Sequence, residues 1–120
     1  MERRLVVLVA LGAMIGFGAT ELASPRASGE RVVTITARQF EYEPARVTLR
    51  RGEPVVLELR SADRKHGFKA PGLALRADVE AGQAVRLRLV PEHTGSFAFV
   101  CDVFCGDNHD EMDGAILVID

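Results

Sequence analysis

The chain has no tryptophan, one tyrosine and six phenylalanines among its 120 residues, so its core is poor in aromatics. Two cysteines are too few for a scaffold held together by disulfides. No block of basic residues occurs and the net charge is −2, which argues against nucleic acid as a partner. Only one apolar run is long enough to concern a membrane, so this is not a multi-spanning protein. No internal repeat is visible. What is present is an ordinary globular balance, 48% apolar and 27% charged, in the length of one domain.

The apolar run is N-terminal. Arg3 and Arg4 precede Leu5 to Ala19, fifteen residues without a charged or polar side chain, the top of the range for the core of a signal peptide. At about 1.5 Å per residue the run reaches only ~22 Å, short of the ~30 Å hydrocarbon core of a bilayer. Phe17-Gly18-Ala19 and Glu21-Leu22-Ala23 both match a small-x-small cleavage site poorly. Residues 1–23 are therefore expected to be a hydrophobic export or anchor helix, either a signal peptide or a short membrane anchor. A buried core helix is the ordinary alternative, against which position and the arginine flank both weigh. Either favoured reading puts the rest of the chain outside the cytoplasmic membrane, periplasmic or anchored to its outer face, with Arg3 and Arg4 inside. Residues 24–30 are small and polar and read as a linker.

Residues 31–120 read as one all-β domain. Val32 to Ala37 is rich in β-branched residues, and Val47-Thr48-Leu49 follows Pro44. Val55, Leu57 and Leu59 alternate with Glu58 and Arg60, and Val85, Leu87 and Leu89 with Arg86 and Arg88. Phe97 and Phe99 alternate with Ser96 and Ala98, and Ala115 to Ile119 closes the chain. Period-two patterning marks half-buried strands. Arg51-Gly52-Glu53-Pro54, Pro71-Gly72, Ala81-Gly82 and Thr94-Gly95 supply turns between them. No stretch beyond residue 30 sustains a helical period. Short strands at this spacing form a sandwich or barrel.

The chemistry is concentrated between Cys101 and Met112. This segment holds both cysteines, His109 and the only methionine outside the N-terminal segment 1–23, spaced C-x3-C-x3-H-x2-M. A strand delivers Cys101 and the last strand begins just after Gly114, so the loop folds back and points its donors at one place. Four readings compete. An exported chain favours a disulfide between the cysteines, which leaves His109 and Met112 unexplained. A structural zinc site wants four N/S ligands and has little use for methionine. A catalytic thiol wants a base and a substrate pocket; His109 could serve as the base, but nothing nearby suggests a substrate. Thiolate, imidazole and thioether together suit copper, which uses all four residues and wants a further histidine. His66, in Ser61-Ala62-Asp63-Arg64-Lys65-His66-Gly67-Phe68, is the candidate. His93 sits in a turn and reads as a surface histidine.

With these residues the chain resembles a cupredoxin of the CuA type, the binuclear copper domain of cytochrome c oxidase subunit II. The C-x3-C-G-x2-H-x2-M loop, His66-Gly67-Phe68, and Phe40-Glu41-Tyr42-Glu43-Pro44 followed by Gly52 carry the resemblance, which runs from about Arg31 to the C-terminus. It implies a Greek-key β-sandwich or barrel. It also implies two copper ions, with Cys101 and Cys105 as bridging thiolates. His66 and Met112 would complete one copper, and His109 and the backbone carbonyl of Val103 the other. Phe68 and Phe104 would form an apolar shell. The implied role is to accept single electrons from a cytochrome c-type donor and pass them to an oxidase catalytic subunit, with no catalysis by this chain alone.

The chain departs from that family at three points. Val103 stands where oxidase subunits often carry a glutamate, the tryptophan usual for electron uptake is absent, and the anchor is short. Three alternatives therefore stay open: a stand-alone exported copper protein, a mononuclear copper site of His66, Cys105, His109 and Met112, and a thiol–disulfide protein using Cys101 and Cys105. Asp102, Asp107, Asp110, Glu111 and Asp113 crowd the loop, with no Lys or Arg after residue 89. They read either as a solvated surface or as a negative rim that steers a basic cytochrome. Arg64, Lys65 and Lys69 flank His66 and could neutralise part of that field.

Overall fold

The computed structural model describes residues 30–104, 106, 107 and 109–120, with His109 described in its backbone only. The leader expected at 1–23 and the linker up to Gly29 lie outside the described residues, as do Cys105, Asn108 and the His109 side chain.

The β-branched and alternating runs form strands: β1 (Arg31–Arg38), β3 (Arg46–Arg50), β4 (Val55–Ser61), β7 (Ala84–Leu89), β8 (Gly95–Val100) and β9 (Asp113–Ile119). Three further strands, β2 (Glu41–Glu43), β5 (His66–Ala70) and β6 (Leu75–Val79), were not evident from the pattern. Their reasons differ. β2 is too short to show a period. β5 interrupts its apolar alternation with a glycine and opens on a histidine. β6 does alternate, but over only Leu75, Ala77 and Val79. Pro71-Gly72, expected as a turn, begins a short 3-10 helix, Pro71–Leu73, that still reverses the chain between β5 and β6.

The strands form two sheets, in the orders β2-β1-β4-β7 and β3-β9-β8-β5-β6. The chain crosses repeatedly between them, so most neighbours are antiparallel while β1–β4 and β3–β9 are parallel. Packed face to face, they make the expected β-sandwich. Ile35, Leu57, Leu59, Leu49, Ile116 and Val118 fill the space between the sheets. At one end of this core stands a group of rings. Phe68 and Phe99 lie 4.8 Å apart, and Tyr42 meets both edge-on, at 6.1 and 4.9 Å. Such contacts add to the stability from burial alone.

Glu58 is buried although it points away from this core. It accepts hydrogen bonds from Arg60 Nε (3.0 Å), from Arg86 Nη2 (2.8 Å) and from the Thr34 hydroxyl (3.3 Å). Hydrogen bonds from Arg60 and Arg86 hold its carboxyl below its ordinary value of 4.5, against the opposing effect of burial. A depressed carboxyl stabilises the fold above its unfolded-state value and loses that contribution as pH falls through the folded one. The stability of the wild type against urea should therefore fall as pH drops below about 4.5. Glu58→Gln should show a shallower fall over the same range. Identical slopes in the two proteins would contradict the pairing.

Candidate metal centre

Strand alternation decides which way the site residues face. Along β5, His66, Phe68 and Ala70 point into the sandwich, and Gly67 and Lys69 point out. β5 runs antiparallel to β8, with Lys69 opposite Val100. Carried on past the end of β8, that register sets Phe68 opposite Cys101 and Gly67 opposite Asp102. Phe99, Cys101 and Val103 then share the inner face, while Val100 and Asp102 share the outer one. His66, Cys101 and Val103 thus stand beside the Phe68–Phe99 pair.

His66 is fully buried, at 0% exposure. Its Nε2 lies 2.6 Å from Asp63 Oδ1. Burial pushes the Asp63 carboxyl up, but hydrogen bonds from the Gln39 N–H, from His66 and from the Arg64 N–H outweigh it, and the net shift is downward. An ionised carboxylate only accepts hydrogen bonds, so the ring proton belongs on Nε2. Nδ1 is left with its lone pair, buried and without a hydrogen-bond partner among the described residues. An unsatisfied buried acceptor of this kind costs about 1–3 kcal/mol. A metal ion taking that lone pair would remove the cost. A carboxylate behind the non-ligating nitrogen is the usual way of orienting a histidine ligand.

Cys101 is buried as well. Its sulfur accepts the Gly67 N–H at 3.3 Å, and its thiol donates to the Val103 carbonyl at 3.2 Å. Its backbone N–H donates to the Met112 carbonyl at 3.2 Å. Met112 is buried and Val103 packs against the core. His66, Cys101, Val103 and Met112 are thereby gathered at one end of the sandwich. Cys105 and the His109 side chain, the other two expected ligands, lie outside the described residues. Among the described residues no three His, Cys, Asp or Glu side chains form a metal-binding group. Of the expected donors only His66 and Cys101 are both of those types and described. The donors present, an orphaned imidazole nitrogen, a buried thiol, a thioether and a carbonyl oxygen, suit a soft or borderline metal such as copper. His93 is exposed and lines a separate cleft with Gly72, Leu73 and Phe97.

Several features of the site were not read from the sequence. Asp63 is one; its only sequence signal is its place three residues before His66 in a turn. A second is the Tyr42 hydroxyl, which donates to the Gly67 carbonyl at 2.6 Å in the buried interior. A third is Gly106, at φ +142°, where a side chain would collide with Gln39 and Phe40. The ligand loop therefore leans on the turn between β1 and β2. Two expectations need correcting. Phe104 was expected in an apolar shell with Phe68; Phe68 is buried as expected, but Phe104 is 69% exposed, because it lies beyond the last residues that pair with β5. Asp102 was counted toward a free negative rim, yet Arg76 grips its carboxylate with two bonds of 2.9 Å. Asp107, Asp110, Glu111 and Asp113 are exposed. Among the described residues, no helix is long and apolar enough to cross a membrane.

A β-sandwich with a buried histidine and cysteine at one end, closed by a loop from the penultimate strand, is the arrangement of a cupredoxin-like domain. The family model of the cupredoxin-like domain matches residues 6–118. The chain belongs to the cupredoxin-like family. It is 29% identical over 86 residues to cytochrome c oxidase subunit 2 of Thermus thermophilus, a match covering 72% of this chain and 64% of that protein. The chain thus spans less than two thirds of that relative's length. The periplasmic domain of subunit II of cytochrome oxidase from Bradyrhizobium japonicum superposes with a TM-score of 0.69 at 17% identity, over 75% of this chain and 84% of that one. A chain of a haem–copper terminal oxidase dimer superposes with a TM-score of 0.68 at 25% identity, over 76% of this chain and 66% of that one. The expected resemblance to oxidase subunit II is thus matched by the fold and by curated relatives.

The Asp63–His66 pair makes a prediction that needs no metal. In Asp63→Ala the ring loses what selects its tautomer, and nitrogen NMR should show His66 leaving the pure Nε2–H form. The same variant should bind a transition metal about 10- to 100-fold more weakly. An unchanged tautomer would show that Asp63 does not set it.

Proposed function

We propose that this chain carries a binuclear copper centre of the CuA type and serves as an electron-transfer protein. In this reading it is a subunit II-like component of a cytochrome c oxidase that passes electrons from a cytochrome c-type donor to the catalytic subunit. The observation that carries it is the buried, unpartnered His66 Nδ1, held by Asp63 at the end of the sandwich where Cys101 and Met112 also lie. Cys101 and Cys105 would bridge the two ions. His66 and Met112 would serve one, and His109 and the Val103 carbonyl the other. When bound, copper supplies one-electron oxidation and reduction.

The chain's own part is to keep the donors still between redox states. Gly67 is fixed from both sides: its carbonyl by Tyr42 and its N–H by the Cys101 sulfur. The rings of Phe68 and Phe99 keep water from beneath the site. Rigid strands rather than loops hold His66 and present Cys101, which favours small structural change on electron transfer. The exposed Asp107, Asp110, Glu111 and Asp113 would draw a basic donor toward the loop. One structural neighbour is the periplasmic domain of an oxidase subunit II, which supports an exported chain, periplasmic or held to the outer face of the membrane by residues 1–23. Val103, which offers no carboxylate, and the missing tryptophan favour a stand-alone exported copper carrier as the second reading.

The test is copper loading of the folded protein with metal counting and electron paramagnetic resonance. Two coppers per chain with hyperfine splitting from two equivalent nuclei are expected, and Cys101→Ser should abolish that signature. One copper with single-nucleus splitting would mean a mononuclear site. No stoichiometric copper, with Cys101 and Cys105 readily disulfide-bonded, would return the protein to the thiol class. Electron uptake from a basic cytochrome should also slow as salt shortens the screening length toward ~8–10 Å. A salt-independent rate would remove the steering role of the acidic loop.

A further inference from the structure

We propose that Arg76 is a positioning residue for the metal centre: acting through Asp102 on the outer face of the sheet, it holds Cys101 and Val103 against β5. The inference rests on the copper reading for its consequences, though its geometry stands apart from any metal.

The argument starts from alternation. Cys101 and Val103 face inward, so the residue between them must face outward. That residue is Asp102, and it lies directly over Gly67. A Cβ at position 67 would overlap the Asp102 carboxylate and crowd its backbone nitrogen and Val103 Cγ2. The absence of a side chain at Gly67 is therefore what lets the loop close down on β5. Arg76 is on β6, the neighbour of β5 on its other side, with its side chain on the same outer face. It reaches across β5 and grips Asp102 through Nε and Nη2, both at 2.9 Å. Its remaining nitrogen, Nη1, bonds Asp78 at 2.5 Å, which fixes the guanidinium in place. A lysine could not make this fork.

A partly exposed ion pair, here with side chains 42% and 28% accessible, adds little to global stability. Its effect is local. Asp102 is bonded in sequence to Cys101 on one side and Val103 on the other. Any opening that frees Asp102 also pulls the Cys101 sulfur from the Gly67 N–H and shifts the Val103 carbonyl. The pair thus opposes one motion, the lifting of this arm of the ligand loop away from His66.

The experiment uses the full chain and two readouts. The first is copper-free: in a Cys105→Ser background, Cys101 is the only thiol, and its alkylation by iodoacetamide reports how often the loop lifts. Arg76→Gln and Asp102→Asn should each speed labelling about two- to five-fold, the scale of one partly exposed charged pair. The double variant should be no faster than either single one, and Arg76→Lys should restore only part of the protection. The second readout, with Cys105 intact, is copper release to a chelator, which should quicken by a similar factor with the copper count unchanged. Labelling at the wild-type rate in Arg76→Gln would overturn the proposal. So would labelling that rises only in step with a loss of global stability in urea. If the wild type takes up no copper while labelling still responds to Arg76, the copper reading fails and the clamp stands.

Discussion

The antiparallel pairing of β5 with β8 is the constraint on which the site depends. It brings a histidine at the start of one strand beside a cysteine just past the end of the other. Because side chains alternate, the same register also stacks Phe68 and Phe99 beneath them. Hydrophobic burial holds the two strands together there, and the donors above are carried along. A shift of β5 by one residue would turn His66 and Phe68 outward while Cys101 and Phe99 stayed inside, so core packing and the placement of His66 beside Cys101 select the same register.

Gly67 is where the interactions around the site meet. Its N–H reaches the Cys101 sulfur, its carbonyl takes the Tyr42 hydroxyl, and its bare α-carbon makes room for Asp102. The inner and outer faces of β5 thus serve different ends at adjacent positions. Inside, His66 and Phe68 are buried among apolar groups, where an unpartnered nitrogen is costly and a metal would be welcome. Outside, Asp102, Arg76 and Asp78 form a charged cluster that closes the sheet over the ligand loop. Among the described residues the buried rings, Tyr42, Phe68 and Phe99, stand together at the end of the sandwich where His66 and Cys101 lie.

Much of the fold was legible because burial on one face leaves a period of two. The strands around Val32, Val55, Val85 and Phe97 were all visible in this way, and the family followed from the loop spacing with His66-Gly67-Phe68. β2, β5 and β6 escaped because they are short or, in β5, carry a histidine where the pattern wants an apolar residue and a glycine where it wants a polar one. In β5 the residues that obscure the pattern are His66, whose Nδ1 is buried, and Gly67, over which Asp102 closes. Asp63 escaped as one acid among many in a polar turn. Phe104 misled because an apolar residue in a ligand loop suggests burial, whereas the loop has already left the sheet at that point.

Composition and local spacing sufficed for the class of protein. They are properties of neighbours along the chain: alternation along a strand, and soft donors clustered within a dozen residues. The Nε2 proton of His66, the grip of Arg76 on Asp102 and the hydroxyl of Tyr42 on Gly67 could not be read that way. Each joins groups whose approach depends on a turn closing or on strands lying side by side. Asp63 is near His66 in sequence, but their pairing needs the turn that presents one to the other. Arg76 and Asp102 are 26 positions apart and meet only because β6 and the end of β8 flank the same strand. Donor chemistry is written in residue types, whereas donor orientation arises from strand register, which the chain acquires only on folding.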